Sequence, residues 1–285
     1  VKILAQLPLV EVLMATYNGE KYISEQIQSI INQDYPEWHI LVRDDGSKDR
    51  TVEIVRGFIK KYPGKISLVE DNERGLGSSG NFYRLMQHAK APYIMLSDQD
   101  DVWMNDKITV TMNKLAEMEQ HFGNNIPLLV FTDLSVVNNS LTVINPSFWK
   151  AQALDPEICR KTYKTVAQST ITGCTVMINK KALEYIFPVP IQSMQHDHWM
   201  GIVIGYHGKT DYINRPTIYY RQHQHNDVGM KEINAGYLLS KWNRVYGMYK
   251  ECYLLKYRAK LNFSLMAAVI FKLAFNTKRV FLKKK

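Results

Sequence analysis

The chain has 285 residues, 46% hydrophobic and 22% charged, with 36 Lys and Arg against 27 Asp and Glu for a formal net charge of +9. That length suits one large domain or a domain plus a subdomain, the composition excludes a disordered chain, and no apolar run reaches the ~18 residues of a membrane span. The basic excess suits anionic partners, whether nucleic acid, membrane surface or phosphorylated small molecules, and it is uneven, since Lys278–Lys285 hold five of the cations. Cys159, Cys174 and Cys252 are odd in number and match no zinc spacing, which predicts reduced thiols and a cytoplasmic setting. No signal peptide is visible, and the first residue, Val, leaves room for an upstream segment.

In chain order, Val10–Ala15 reads as a strand running into the turn Thr16-Tyr17-Asn18-Gly19. Tyr22, Ile23, Ile27, Ile30 and Ile31 recur at helical spacing, and Pro36 closes that helix. His39–Arg43 predicts a second strand, ending on Asp44-Asp45-Gly46-Ser47. Asp49 is the expected N-cap of a helix whose apolar face is Val52, Ile54, Val55, Phe58 and Ile59. Ile66–Val69 predicts a third strand. Strands alternating with helices imply the α/β class and a largely parallel sheet. Ligands of such sheets bind beyond the carboxyl ends of the strands.

The apolar run Tyr93-Ile94-Met95-Leu96 leads into Ser97-Asp98-Gln99-Asp100-Asp101-Val102-Trp103, three carboxylates within four residues. Carboxylates this close repel, and burying them unpaired is costly or shifts their pKa. A hard divalent cation, Mg²⁺ or Mn²⁺, is the simplest compensation and usually holds substrate phosphates as well. A solvated acidic turn is the bland alternative. Convergence of Thr16-Tyr17-Asn18, Asp44-Asp45 and Asp98–Asp101 on one sheet edge favours the metal. Gly75-Leu76-Gly77-Ser78-Ser79-Gly80 is a literal G-x-G-x-x-G, with Asp98 eighteen residues beyond it. A dinucleotide fingerprint should follow its strand directly, whereas Glu70–Arg74 intervene here.

Asn105–His121 predicts a helix, Leu128–Phe131 a strand ended by Thr132-Asp133, and residues 138–170 a long loop with a short helix over the site. Cys174–Ile178 is strand-like. Gln195-His196-Asp197-His198-Trp199 opens a helix, and Asp197 there is either a general base or an N-cap beside two surface histidines. Thr217–Tyr220 predicts a strand leading to Arg221-Gln222-His223-Gln224-His225-Asn226, suited to phosphate or metal contacts or to a solvated basic loop. From Ala235 onward, Tyr237, Leu238, Trp242, Val245, Tyr246, Tyr249, Tyr253 and Leu254 form an apolar helical stripe, followed by a second helix over Leu261–Phe275. Three fates fit these helices: packing on the main domain, homo-oligomer formation, to which the tyrosines point, or peripheral contact with an anionic membrane.

Taken together, the chain resembles the family 2 glycosyltransferases of GT-A fold, in particular bacterial rhamnosyltransferases and related surface-glycan enzymes. The carriers are Leu13–Gly19, Val42–Ser47 with Asp49 and Thr51, Asn72 with Gly75 and Asn81-Phe82, Leu96–Trp103, His196–Trp199 and Tyr220–His223. They span about residues 8–228. The resemblance implies a glycosyltransferase domain over 1–228, with nucleotide-binding and acceptor halves, and a C-terminal helical subdomain over 229–285. It implies Thr16, Tyr17, Asp44, Asp45, Asn81 and Asp98 as donor-nucleotide residues, and Arg221 and His223 on the diphosphate. Asp100, Asp98 and His223 would hold Mn²⁺ or Mg²⁺, and Asp197 would be the catalytic base. His196 stands where the family often has Glu, which makes His196 and His198 rivals for that role.

The expected activity is inverting, metal-dependent transfer from dTDP-rhamnose or a UDP-hexose to a hydroxyl of a surface polysaccharide or glycoprotein glycan. The acceptor would be lipid-linked or protein-linked, nucleic acid is not an expected partner, and the setting would be the cytoplasm at the inner face of the plasma membrane. Two rivals stand: an NAD-dependent oxidoreductase built on Gly75–Gly80, and a non-catalytic helical assembly or membrane-docking module built on residues 235–285.

Overall fold

The structure is a computed structural model that describes residues 7–189, 194–223 and 245–282. In the first strand, β1 (Val10–Thr16), Leu13 faces one hydrophobic cluster while Val12 and Met14 face another. Side chains alternate across a strand, so the sheet is covered on both faces. β1 pairs in parallel with β2 (Trp38–Asp44) and β4 (Tyr93–Ser97), and β2 with β3 (Ile66–Leu68). The helices between them are α1 (Ile23–Ile31), α2 (Thr51–Lys61) and α3 (Gly77–His88). Asp49 accepts the Thr51 amide at 3.0 Å, so it serves the start of α2 from one residue before the formal cap, Arg50.

Beyond β4 the sheet turns mixed, in the order β3-β2-β1-β4-β8-β6-β9-β5. The further elements are β5 (Val102–Trp103), α4 (Lys107–Phe122), β6 (Leu128–Val137), β7 (Val143–Asn145), α5 (Phe148–Ala151), α6 (Thr162–Ala167), β8 (Met177–Asn179), α7 (Leu183–Ile186), α8 (His196–His207) and β9 (Lys209–Arg221). β8 runs antiparallel to both β4 and β6, β9 parallel to β6, and β5 antiparallel to β9. The largely parallel expectation therefore holds for β1–β4 and again for β6 with β9, while β5, β7 and β8 pair antiparallel and make the sheet mixed.

Three predicted boundaries move, each for a tertiary reason. β6 does not end at Thr132-Asp133. Thr132 Oγ1 bonds Thr217 Oγ1 at 2.7 Å, and the Asp133 carboxylate accepts from Ser147 Oγ and the Trp149 amide, so both polar residues are satisfied inside the sheet. β9 begins at Lys209, eight residues before the predicted Thr217, because it follows β6 along most of its length. Residues 173–175 form a 3₁₀ turn, and the strand starts only at Met177. Residues 138–170, read as loop with a short helix, hold β7, α5, a 3₁₀ turn at Pro156–Arg160 and α6.

The C-terminal helices are α9 (Val245–Arg258) and α10 (Leu265–Leu282). Their Cys252, Leu255 and Ala268, with Leu261 and Phe263 of the connection between them, share a cluster with α3 and α8, so of the three fates the described part shows packing on the main domain. The stripe residues Tyr237, Leu238 and Trp242, and the motif residues Gln224, His225 and Asn226, lie outside the described residues. Among the described residues no helix is long and apolar enough to cross a membrane.

Candidate active site

Because β1, β2 and β4 are parallel neighbours, their polar ends meet at one edge. A cavity of about 970 Å³ opens there, lined by Thr16, Tyr17, Asp45, Asn81, Asp98, Asp100 and Asp197 among others. That volume lies at the upper end for small-molecule sites.

The turn after β2 is built by carboxylates. Asp44 accepts from the amides of Gly46 (3.0 Å) and Ser47 (2.7 Å) and from Thr16 Oγ1 (3.0 Å). Gly46 takes φ +97°, a left-handed conformation that favours glycine. Asp44 thus holds the turn and is not part of the cavity wall, although it was expected on the donor. Asp45 lines the wall and accepts from the amides of Leu76 (3.0 Å) and Gly77 (2.8 Å). Two amides of the G-x-G-x-x-G stretch are therefore spent on a protein carboxylate, and the stretch opens α3 well after β3 has ended. This removes the basis of the dinucleotide reading.

Beneath Asp45 lies Arg43, fully buried at the end of β2. It binds Asp71 with two parallel bonds of 2.9 and 3.0 Å, and reaches Asp45 (3.3 Å) and Asn81 Oδ1 (3.0 Å). The Arg43 guanidinium holds the Asp71 carboxyl at about 2, below the ordinary carboxylate value. Asn81 donates to the carbonyls of Thr16 and Arg43, joining α3 to both strand ends. Sequence reasoning passed over Arg43; a lone cation closing the apolar run His39–Val42 was the available signal.

The acidic cluster divides by environment. Asp98 and Asp100 face the cavity. Gln99 lines it too and clamps the first loop, accepting from the Tyr17 amide (2.9 Å) and donating to the Tyr17 carbonyl (2.8 Å). Asp101 is fully buried, and burial together with Asp100 and Asp98 pushes its carboxyl well above the usual range. Asp98, Asp101 and Cys174 each bring a ligand atom within 4.8 Å of the others. Nearby Lys107 is buried over the Trp103 ring and donates to the Cys174 carbonyl (2.7 Å); burial lowers its ammonium to about 7.

His223 Nε2 stands 2.7 Å from Asp100 Oδ2. Arg221, expected on the diphosphate, is buried and outside the cavity wall. It donates to the Asp100 carbonyl (3.0 Å), the Asn139 carbonyl (2.5 Å) and the Glu25 carboxylate. Tyr22, which sequence reasoning also passed over, stacks on His223 and lies under the Arg221 guanidinium. This stack braces the Asp100 segment. Two carboxylates at the cavity with an imidazole beside them are a donor set that fits Mn²⁺ or Mg²⁺.

Asp197 reaches the cavity from the first turn of α8. Its oxygens accept from the amides of Gly173 (3.1 Å) and His198 (2.6 Å), yet burial dominates and raises the carboxyl from 3.8 to about 6. Ser79 ties α3 to this helix start through Gln195 Oε1 (3.0 Å) and the His196 amide (3.2 Å). His196 packs on Phe82, its Nε2 buried and without a hydrogen bond, and burial lowers the imidazole to about 3. His198 faces away from the cavity toward α6, 2.7 Å from the Thr165 carbonyl. Of the three adjacent candidates, Asp197 alone combines cavity exposure with a basic atom free to receive a proton near neutral pH.

Residues 11–187 match the sequence profile of the family described as Glycosyl transferase family 2. The chain is similar to the dTDP-rhamnosyl transferase RfbG of Shigella flexneri, at 31% identity over 248 residues covering 81% of each protein. Its fold is similar to that of S. aureus TarS 1–349 in complex with UDP-GlcNAc, with a TM-score of 0.60 and 18% identity over 96% of this chain and 72% of that one. It is also similar to that of the mannosyltransferase PcManGT from Pyrobaculum calidifontis in complex with GDP-Man and Mn²⁺, with a TM-score of 0.55 and 19% identity over 96% and 74%. The architecture is the α/β GT-A fold.

Proposed function

The chain belongs to glycosyl transferase family 2 and is a glycosyltransferase, and from that premise we propose that it transfers a sugar from dTDP-rhamnose or a UDP-hexose to an acceptor hydroxyl of a bacterial surface glycan, with inversion. The observation that carries this reading is the presence, around one cavity, of Asp98 and Asp100 at the end of β4 and Asp197 at the start of α8. In this reading Thr16, Tyr17, Asp45 and Asn81 receive the nucleotide, and Asp44 and Arg221 act at one remove by holding the turn and the Asp100 segment. Asp98, Asp100 and His223 would hold Mn²⁺ or Mg²⁺, which when bound would supply neutralisation of the charge that develops on the leaving diphosphate. Asp197 takes the proton of the acceptor hydroxyl as that oxygen attacks the anomeric carbon from the face opposite the diphosphate. The similarity to a dTDP-rhamnosyl transferase supports dTDP-rhamnose as the first donor to try.

The test is nucleoside diphosphate release from a panel of UDP-, dTDP- and GDP-sugars, with Mn²⁺ and with EDTA. Metal-dependent release from one donor, lost in Asp100→Ala, supports the reading; binding of no nucleotide at all overturns the site.

For the C-terminal helices, charge favours contact with an anionic membrane over a homo-oligomer. Residues 233–285 hold twelve Lys and Arg and one Glu, while the rest of the chain holds 24 against 26, so the whole positive excess lies in this tail. Two such tails repel each other, whereas anionic lipid attracts them. Tyr249, Tyr253 and Tyr257 stand exposed in one row of ring contacts, as side chains at a membrane interface do. Salt-sensitive co-sedimentation with phosphatidylglycerol vesicles, absent with phosphatidylcholine, is the expected result.

A further inference from the structure

His196 has no task once Asp197 is taken as the base. Its imidazole is 6% exposed and forms part of the cavity wall, yet Nε2 makes no hydrogen bond. Burial lowers the ring to about 3, so near neutral pH it is uncharged and a poor proton acceptor. What the ring does have is a close neighbour. A Cβ added at Gly173 would lie 2.5 Å from Nε2, 3.3 Å from Cε1 and 3.5 Å from Cδ2, so the edge of the imidazole stands directly against the Gly173 backbone.

Gly173 is the residue whose amide donates to Asp197 Oδ2 (3.1 Å). Its own 3₁₀ turn holds it from the other end, through the Val176 amide on its carbonyl (3.1 Å). The imidazole has little room to give way. Its centroid lies 4.4 Å from the ring of fully buried Phe82, its Nδ1 is 3.5 Å from Ser79 Oγ, and the His196 amide donates to the same hydroxyl. Phe82 and Ser79 belong to α3. That helix therefore fixes the ring, the ring backs Gly173, and Gly173 meets the carboxylate. Close-packed interiors transmit displacement along such a chain of contacts.

We propose that His196 is a positioning residue, which acts through Gly173 to hold one of two backbone amides on the Asp197 carboxylate. This rests on the reading of Asp197 as the base and deepens it: the neighbouring histidine orients the base and does not replace it. The other titratable groups acting around Asp197 are Tyr83 of α3 and, on its own helix, His198. Burial and Asp197 hold the Tyr83 phenol well above its ordinary value. Burial lowers His198 to about 4, and the Lys272 ammonium of α10 acts on it in the same direction. Both are uncharged from about pH 5 to 8, so the titration of Asp197 reports on its two amides.

The test is carbon-13 NMR titration of the aspartate carboxyls in the full chain, with the Asp197 signal identified by its absence in Asp197→Asn. In wild type it should titrate at about 6. Gly173→Ala drives a methyl against the imidazole and should raise that value by about one unit, the worth of one hydrogen bond to a charged acceptor. His196→Ala, which removes the backing of the Gly173 amide, should raise it similarly. Combined, the two should bring it back toward 6, because the added methyl takes space the imidazole has left. His196→Gln, whose side chain can withdraw from the methyl, stands in if His196→Ala does not fold. Single variants that keep Asp197 at about 6 while Tm falls would show a packing role alone and overturn the proposal. So would a fall in His196→Ala, the mark of water reaching the carboxylate, or shifts that simply add in the double variant. The titration is read without turnover, so failure of the catalytic reading shows separately: a kcat/KM profile with no acid limb strikes the base assignment, while the three shifts decide the role of His196.

Discussion

The sharpest prediction concerns Asp197. Burial lifts its carboxyl from 3.8 to about 6, so it is ionised and able to accept a proton only above that pH. kcat/KM should therefore rise with pH at unit slope below about 6 and level off above it, standing near a tenth of its plateau at pH 5. A carboxylate at its ordinary value would leave the rate flat down to about pH 5. Asp197→Asn should lose ~10²–10⁴ in kcat, the usual contribution of a positioned base and equivalent to ~3–5.5 kcal/mol, and the acid limb should go with it. The variant should remain folded. A carboxyl whose folded pKa lies above its unfolded value costs stability as pH rises from about 4 through about 6, up to ~3 kcal/mol at neutral pH. Replacing it with an amide removes that cost. The amide oxygen can accept from only one side, so the Gly173 or the His198 amide loses an acceptor, at ~1–3 kcal/mol. The two effects offset, and Tm should move by a few degrees at most. Initial rates over pH 4.5–8 with a melting curve for each variant make the measurement. An acid limb that persists in Asp197→Asn, or a wild-type rate flat to pH 5, would refute the assignment.

Other outcomes follow from the same packing. Arg43→Met leaves Asp71 and Asp45 without their buried cation and should cost ~3–5 kcal/mol in urea unfolding. Asp71 has a folded pKa of about 2, below its unfolded value, so its contribution to stability is present above about pH 4 and is lost as pH falls toward 2; that part of acid unfolding should be missing in Arg43→Met. Gly208→Ala would set a Cβ 1.8 Å from the Pro127 carbonyl oxygen, where α8 turns into β9. Backbone must move, and a loss of ~1–3 kcal/mol should appear as a lower Tm. Cys159, Cys174 and Cys252 are free and buried, with burial lifting the Cys159 thiol to about 12, so a thiol reagent at pH 8 should label none of them in the folded protein and all three in urea.

Much of the donor half was legible from residue order because its signals are local. A strand that ends in a carboxylate, repeated at Asp44-Asp45 and Asp98-Asp100, declares both its direction and its site, and parallel neighbours then bring those ends together. The roles within those motifs were less legible. Asp44 and Asp45 are adjacent and chemically alike, yet one closes a turn while the other holds the Leu76 and Gly77 amides and lines the cavity. Asp100 and Asp101 divide in the same way between the cavity and a sealed interior.

By itself the sequence determined the α/β alternation, the carboxylate-ended strands and the placing of Asp197 at a helix start, since each depends on spacing within a few residues. Only tertiary structure decided that β6 runs through Thr132-Asp133, that Arg221 supports Asp100 from behind, and that Arg279 completes a cavity wall with Gln152. Each of those rests on partners 14 to 127 residues apart in the chain. A buried polar group survives wherever folding brings it a partner, and no local pattern records which distant residue that partner will be.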